Sequence, residues 1–113
     1  HAAEFLVSEA NGHRSRETVT IASGENLEAG HVLGQVTADS TYKEYDPGNA
    51  DGSETAVAVL YDAVDASGGE KEGVIIARDA EVDKAALTWF SGATAGEVTT
   101  GVGELENVGI VSR

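Results

Sequence analysis

The amino-acid sequence predicts a small β-rich α+β domain made of short strands and one C-terminal helix. Short apolar segments recur along the chain with the period of half-buried strands, and Gly, Asp, Asn and Ser residues separate them. Only one stretch near the C-terminus has helical spacing. The length of 113 residues fits one domain, and no internal repeat is visible. We expect a flexible N-terminal arm over residues 1–16 and one folded domain over residues 17–113.

The N-terminal arm contains one apolar cluster, Phe5-Leu6-Val7, in an otherwise polar stretch. An arm without an anchor is disordered by default, because burying a few side chains does not offset the ordering entropy of roughly a dozen residues. Phe5, Leu6 and Val7 nevertheless favour extended structure, and an extended apolar triplet can add to the exposed sheet edge of a partner. The residues alone leave both a disordered tail and a partner-binding arm open.

Several segments after the arm have the composition of strands. In the first of them Val19 and Ile21 alternate with Thr residues, which is the period of a half-buried strand. A turn is expected at 27–30, and a final edge strand at Ile110-Val111. That first strand is 17–22, and the strands predicted after it are 32–36, 42–45, 55–60, 73–78 and 87–90.

The run 45–61 changes abruptly from turn-forming residues to an apolar strand. Pro47 restricts its own φ and favours extended geometry in the residue before it, while Gly48 and Gly52 are expected to supply positive φ angles. The spacing of Asp and Asn also approaches that of a calcium loop. Pro47, however, stands at the position of the first ligand, and Ala58 at that of the bidentate Glu. The carboxylates are therefore expected to form turns.

The stretch from Thr94 to Asn107 is the predicted helix. Thr94 and Glu97, three residues later, have the pattern of a capping box. Gly101 and Gly103 weaken the helix by about 1 kcal/mol each relative to Ala. Such a helix depends on tertiary or intersubunit packing, which favours an oligomer. The predicted apolar face consists of Val98, Val102, Leu105 and Val108, and Gly109 is expected to cap the end.

The chain carries a formal net charge of −13, from 20 acidic and 7 basic residues. This charge opposes binding to the phosphates of nucleic acids and anionic membranes. No apolar run approaches the roughly 20 residues of a membrane-spanning helix. Cys is absent, and a chain this short leaves much of its surface exposed, so oligomerisation is the expected source of additional stability. We expect a soluble protein with no nucleic-acid and no membrane partner.

No arrangement typical of catalysis is visible. His1, His13 and His31 lack the spacing of a helical metal pair and are expected to be exposed polar residues. There is no nucleophile elbow, and Val102 and Gly103 stand where a phosphate loop needs Lys and Ser or Thr. Nothing in the sequence brings two carboxylates into one apolar pocket. We expect no catalytic residues, no metal site and no cofactor.

The tripeptide Asp83-Lys84-Ala85 leaves one non-catalytic alternative open. It resembles the hairpin tip of lipoyl carrier domains, in which the Lys is presented for attachment of the cofactor, and 27–34 has the turn rhythm of such β-barrels. The flanking carrier pattern is missing, and a solvated surface lysine is the simpler interpretation. In this alternative the chain is a monomeric carrier or binding module with Lys84 as its attachment site.

Several motifs together resemble one known family. They are Tyr45-Asp46-Pro47-Gly48 leading into Thr55-Ala56-Val57-Ala58-Val59-Leu60-Tyr61, then Val64-Asp65-Ala66-Ser67-Gly68-Gly69, Gly73-Val74-Ile75-Ile76-Ala77-Arg78-Asp79-Ala80-Glu81-Val82 and Ala86-Leu87-Thr88-Trp89. In this order they resemble the bacteriophage head decoration proteins, the family of the lambda head protein D, from about Thr18 to the C-terminus. The resemblance implies a homotrimer that binds the major capsid protein at three-fold and quasi-three-fold positions outside the expanded head. It further implies a cementing role against the pressure of packaged DNA, after synthesis in the host cytoplasm.

The resemblance also suggests residues that contact the capsid. The arm residues Phe5, Leu6 and Val7 are assigned to the capsid by their position in the chain. Relatives tend to follow the tryptophan of the last motif with Pro, whereas here Phe90 follows Trp89 and adds a large apolar group. We expect Trp89 and Phe90 at a capsid or trimer contact, with core packing as the other role open to Trp89.

Overall fold

Ten strands, one 3-10 turn and one α-helix build the part of the chain that the structure covers. This structure is a computed structural model, and it describes residues 6–9 and 15–113. The elements are β1 (Leu6–Glu9), β2 (Arg16–Ile21), β3 (Asn26–Leu27), β4 (Val32–Gln35), β5 (Tyr42–Glu44), β6 (Ala58–Leu60), β7 (Val64–Asp65), β8 (Lys71–Ile76), β9 (Ala80–Val82), the 3-10 turn (Lys84–Ala86), α1 (Ala95–Asn107) and β10 (Ile110–Ser112).

Five of the strands close into a barrel in the order β2-β5-β4-β6-β8. Neighbouring strands run antiparallel except β2 and β5, which pair in parallel through Ile21 and Tyr42. Alternate residues of a strand point to opposite faces, so one set fills the barrel interior. The buried residues of this interior cluster are Ile21, Leu27, Leu33, Ala58, Leu60, Ala66 and Ile75.

The barrel strands β4, β6 and β8 are buried on their outer face as well. Val32, Val59 and Ile76 belong to a second apolar cluster, although their neighbours in sequence fill the barrel. Burial on both faces explains why the segments 32–33, 58–60 and 74–76 of these strands are continuously apolar. The outer cluster is completed by α1, β9, β10 and the segment 87–90, which contribute Leu105, Ala80, Val82, Ile110, Leu87 and Phe90.

A separate sheet of three strands has the order β1-β9-β10. β1 runs antiparallel to β9, with Leu6 opposite Val82 and Glu9 opposite Ala80, and its register shifts between Leu6 and Ser8. β10 runs parallel to β9. β9 is therefore the central strand of this sheet, and it joins strands from near both ends of the sequence. A third, two-stranded sheet pairs β3 with β7.

The loop between β5 and β6 folds back across β4. Thr37 N donates a hydrogen bond to the Asp51 carbonyl oxygen at 2.8 Å, and Asp46 N donates one to the Ser53 carbonyl oxygen at 3.2 Å. A Cβ atom at Gly34 would come within 2.5 Å of the Cα and carbonyl oxygen of Ser53, which is fully buried. The absence of a side chain at position 34 therefore lets the loop lie directly on β4.

The structure confirms the strand-rich fold and the single C-terminal helix. Thr94 Oγ1 accepts a hydrogen bond from Glu97 N at 3.2 Å, and Thr94 N donates to Glu97 Oε1 at 3.0 Å, so the predicted capping box is present. Gly109, with φ of 87°, lies just beyond the helix as predicted. Strands occur in five of the six segments listed by periodicity, and the final strand β10 is also confirmed.

Three local predictions are wrong. The segment 87–90 is not a strand, because only Thr88 forms a β-bridge, to His31. Gly52 has the expected positive φ of 110°, but Gly48 does not have a positive φ. The predicted turn 27–30 begins one residue late, since Leu27 pairs in β3. In the described part of the chain no helix is long and apolar enough to cross a membrane.

Substitution of two helix glycines tests how closely α1 approaches the core. A Cβ atom at Gly101 would collide with the ring of Trp89, whereas nothing lies within 4 Å of one at Gly103. Gly101→Ala is expected to lower the free energy of unfolding by about 1–3 kcal/mol through overpacking. The matched control Gly103→Ala is expected to raise it by about 1 kcal/mol through helix propensity. Urea unfolding measures the free energy of unfolding of both variants. A change of the same sign in the two variants would contradict the close packing of Gly101 against Trp89.

Candidate functional site

β1 contains two of the three arm residues that the sequence assigned to a partner. Leu6 and Val7 lie in this strand, and Phe5 lies outside the described residues. Leu6 is half-buried and packs against the outer apolar cluster, opposite Val82. β1 is an outermost strand of its sheet, so no described strand pairs with its other side. Edge strands of this kind present backbone N–H and C=O groups that another chain can use.

β9 pairs with β1 on one side and with β10 on the other. Ala80 N donates a hydrogen bond to the Gly109 carbonyl oxygen at 3.2 Å, and Arg113 N donates one to the Val82 carbonyl oxygen at 2.9 Å. Arg113 Nε also donates to Glu81 Oε2 at 2.5 Å. The edge strand therefore rests on a central strand that is fixed by the C-terminal segment.

Trp89 and Phe90, the other predicted contact residues, differ in their exposure. Phe90 is only 9% exposed and belongs to the outer apolar cluster, whereas Trp89 is half-buried at its border. Both rings meet Tyr45 edge to face, with centroids 6.0 Å apart for Trp89 and 5.9 Å for Phe90. Edge-to-face contacts of this kind are favourable between aromatic rings. Trp89 is the one of the two that offers surface to a partner.

Tyr45 is the buried centre of this aromatic group. Its side chain is fully buried, and its hydroxyl has no hydrogen-bond partner among the described residues. Burial, reinforced by the negative charge of Glu104, raises the pKa of Tyr45 to about 12. The phenol is therefore neutral at physiological pH, and Tyr45 serves as a packing platform for Trp89 and Phe90.

The loop that approaches calcium-loop spacing uses its carboxylates internally. Asp51 Oδ1 accepts hydrogen bonds from Ser53 Oγ at 2.5 Å and from Ser53 N at 3.0 Å, and Lys43 Nζ donates to Asp51 Oδ2 at 3.3 Å. The Ser53 hydroxyl first, then its backbone N–H, lowers the pKa of Asp51 to about 2. The Ser53 hydroxyl in turn accepts from Asn49 Nδ2 at 2.8 Å. The predicted turn-forming role of these residues agrees with the contacts.

The same Asp-x-Ser/Thr turn occurs at two further places. Asp39 accepts hydrogen bonds from the backbone and hydroxyl of Thr41, and Asp65 from those of Ser67. These bonds lower the pKa of each carboxyl group below its usual range. A hydroxyl two residues after an Asp is the sequence signal for this turn.

His31 is not the exposed residue that the sequence predicted. It is 8% exposed, and its Nε2 lies 2.6 Å from Glu44 Oε2, while its Nδ1 is buried without a partner among the described residues. Glu44 N donates a further hydrogen bond to Glu25 Oε1 at 2.8 Å. Pairing with Glu44 across β4 and β5 explains how the ring is buried. His1 and His13 lie outside the described residues.

Lys84 does not occupy a hairpin tip. It begins the 3-10 turn, whose N-terminal residue Asp83 accepts a hydrogen bond from Ala85 N at 3.0 Å. Its side chain is exposed, and its backbone N–H donates to the Arg113 carbonyl oxygen at 3.2 Å. This geometry differs from the hairpin presentation that defines the lipoyl-like alternative. Among the described residues no three His, Asp or Glu side chains converge as a metal site requires.

Sequence reasoning missed one feature of the barrel surface. The guanidinium Cζ of Arg16 lies 4.2 Å from the ring centroid of Tyr61, and the two residues line a common groove. They become neighbours because β2 and β6 both pair with β8. Residues this far apart in the sequence carry no local signal of such a contact.

Comparison with family models decides the identity of the chain. Residues 1–110 match the family model described as bacteriophage lambda head decoration protein D. The chain belongs to this family. No curated protein sequence matches it at a significant level.

Membership makes this chain a head decoration protein, a structural component of the phage capsid exterior. The matched range includes β1, the aromatic residues around Tyr45 and all five barrel strands. For a head decoration protein the relevant site is a surface that meets other protein chains. The outer edge of β1, which no described strand pairs with, and the half-buried Trp89 suit such contacts.

The pKa of Asp51 predicts a specific pH dependence of stability. Because the folded-state pKa lies below the ordinary value of 3.8, the ionised carboxylate contributes stability above about pH 4, and this contribution is lost as the pH falls towards 2. Urea unfolding of the wild type and of Asp51→Asn is therefore expected to show a stability difference that narrows over this range. In the Ser53→Ala background the narrowing should be smaller, because the hydroxyl hydrogen bond is lost while those from Ser53 N and Lys43 Nζ remain. A difference that is constant from pH 6 to about 2 would contradict the assignment.

Proposed function

We propose that this head decoration protein binds as a homotrimer to the outside of the expanded phage head and stabilises the shell against internal DNA pressure. The binding positions are the three-fold and quasi-three-fold sites of the lattice, and the partner is the major capsid protein. The observation that carries the proposal is the family match over residues 1–110. The action is mechanical, since a ligand that binds only the assembled lattice stabilises it by linkage.

The arm around Phe5, Leu6 and Val7 is the proposed capsid contact. Its strand β1 already pairs with β9 on one side, and its other side has no described partner. A capsid segment that pairs with this edge extends the sheet from three strands to four, with affinity from backbone hydrogen bonds. Leu6 anchors β1 to the outer apolar cluster, so the edge is presented on the body of the domain.

Three arms on one trimer strengthen the binding together. Each contact is short, since β1 spans 4 residues. After the first arm has bound, the other two are held near their sites at high effective concentration, so overall affinity exceeds that of one arm by about 10²-fold or more. A trimer can therefore clamp neighbouring capsid subunits through individually weak contacts.

The segment of Trp89 and Phe90 is the second proposed contact, with the capsid or between subunits, and Trp89 supplies its surface. Phe90 is buried against Tyr45 and fixes the segment, while Trp89 keeps part of its ring at the surface. Tryptophan is enriched among residues that dominate binding energy at protein interfaces. Its backing by Tyr45 limits the entropy that the ring loses on binding.

Deletion of residues 1–9 tests the arm assignment. The variant keeps the barrel and α1 but loses the β1 edge, so binding to expanded, undecorated heads is expected to weaken by at least about a hundredfold. Co-sedimentation with such heads measures saturation and affinity. Sedimentation equilibrium of the free variant is expected to show that the trimer persists.

Lys84→Ala is the matched surface control for this deletion. It removes an exposed side chain near the same sheet without removing a strand, and head binding is expected to be unchanged. The intact mass of the wild type is expected to equal the mass of the sequence, since Lys84 carries no cofactor in this proposal. Full saturation of heads by the deletion variant at unchanged affinity would refute the arm assignment.

A further inference from the structure

Asp51 and Gly52 form the one Asp-Gly pair in the sequence. Such a pair is open to backbone rearrangement, because glycine has no side chain to hinder attack of its nitrogen on the Asp carboxyl carbon. The Gly52 nitrogen bonds to Asp51 Cγ, and a carboxyl oxygen leaves as water with the amide proton. Water then adds to the α-carbonyl carbon of the resulting ring and breaks its bond to the nitrogen. The chain then continues through Cγ as isoaspartate, with unchanged mass.

The folded loop holds both groups that would react. Asp51 Oδ1 accepts hydrogen bonds from Ser53 Oγ at 2.5 Å and Ser53 N at 3.0 Å, and Lys43 Nζ donates to Asp51 Oδ2 at 3.3 Å. Gly52 N donates to Glu54 Oε1 at 2.8 Å, which fixes the plane of the Asp51-Gly52 peptide. Rotation of the carboxyl group towards the face of this amide would break the bonds to Ser53 and Lys43.

The same hydrogen bonds keep the carboxyl group in its unreactive form. A carboxyl oxygen leaves readily as water only from the neutral acid. The Ser53 hydroxyl first, then its backbone N–H, lowers the pKa of Asp51 to about 2, because both donors favour the ionised carboxylate. At mildly acidic and neutral pH the group is therefore almost entirely ionised, and ring closure is disfavoured.

The product of the rearrangement does not fit the folded loop. A Cβ atom at Gly52, whose φ is 110°, would collide with Thr37 Oγ1 and lie 2.5 Å from the Gln35 carbonyl oxygen. Thr37 N also donates a hydrogen bond to the Asp51 carbonyl oxygen at 2.8 Å. Isoaspartate adds one carbon atom to the main chain directly before Gly52. Gly52 therefore cannot keep its position against Gln35 and Thr37, and the loop cannot lie on β4 as it does in the native fold.

We propose that Asp51-Gly52 is a covalent modification site that the folded loop suppresses and that forms isoaspartate in chains whose loop has opened. Local opening of this kind is a general property of folded domains. Because the product does not fit against Gln35 and Thr37, the reaction marks an opened chain and prevents recovery of the native loop. Capsid proteins are not replaced after assembly, so suppression of this reaction preserves a decoration protein over the lifetime of the particle.

Ser53→Ala in the full chain tests the suppression. The variant loses the hydroxyl bond to Asp51 but keeps the bonds from the backbone N–H and Lys43. At mildly acidic pH, isoaspartate at position 51 is expected to form about fivefold faster than in the folded wild type. The wild type unfolded in guanidinium chloride is expected to react at least about thirtyfold faster than the folded wild type, since the carboxyl pKa returns to its ordinary value. Fragment-ion mass spectrometry localises the isoaspartate to position 51.

Two controls separate the loop contacts from other causes. Ser67→Ala removes the same hydroxyl bond at Asp65, but Ala66 follows this Asp, so no isoaspartate is expected there. Gly101→Ala destabilises the domain through α1 and leaves the loop bonds in place, so the rate at position 51 is expected to be unchanged. Thermal unfolding checks that the variants are folded. Equal acceleration in Ser53→Ala and Gly101→Ala, or no acceleration in Ser53→Ala, would overturn the proposal.

Refolding tests whether the product is excluded from the native fold. Wild-type chains are held unfolded until a part of them carries isoaspartate at position 51, and the denaturant is then removed. The folded fraction, separated by size-exclusion chromatography, is expected to be depleted in isoaspartate at this position by about tenfold. An equal content in the folded and misfolded fractions would show that the loop accepts the product, against the proposal. All measurements use the free chain, so their outcome is independent of the proposed trimer and of head binding.

Discussion

The structure depends on barrel strands that are buried on both faces. In β4, β6 and β8 adjacent apolar residues point in opposite directions, so Leu33 fills the barrel while Val32 packs outside it. A polar residue on either face would leave a buried group unsatisfied. The outer cluster is what attaches α1 and the three-stranded sheet to the barrel. The proposed binding surfaces therefore depend on the same strands that form the core.

Two close approaches explain how the covering segments fit. Gly34 lets the loop before β6 lie on β4, and Gly101 lets α1 lie against Trp89. At each glycine, a neighbouring residue fills the space that a side chain would take: Ser53 at Gly34 and Trp89 at Gly101. These surface segments are therefore packed directly against the core elements. Trp89 is consequently held by the helix on one side and by Tyr45 on another. A surface fixed in this way needs little reorganisation when it meets a partner.

Sequence periodicity could predict the longer elements but not their long-range pairing. β2 and β8, each of 6 residues, show their pattern clearly, and the capping box of Thr94 and Glu97 marks the helix start. β3, β7 and β9 have only two or three residues each, which is too few to show a period-two pattern in the sequence. Their extended geometry depends on the strands with which they pair. From the sequence, the apolar arm triplet could be proposed as a partner contact. The burial of His31 and the stacking of Arg16 on Tyr61 could not be predicted, because they arise only when the barrel closes.

The central position of β9 has a consequence for synthesis and folding. Its two neighbours are β1, from the first part of the sequence, and β10, which follows the whole of α1. During translation β1 is released long before β9 exists, and β9 is complete before β10 emerges. The sheet that carries the proposed capsid contact is therefore among the last parts of the domain to form, and its contacts between distant residues favour slow closure. A nascent chain can therefore present the edge of β1 for binding only after the rest of the domain is able to fold.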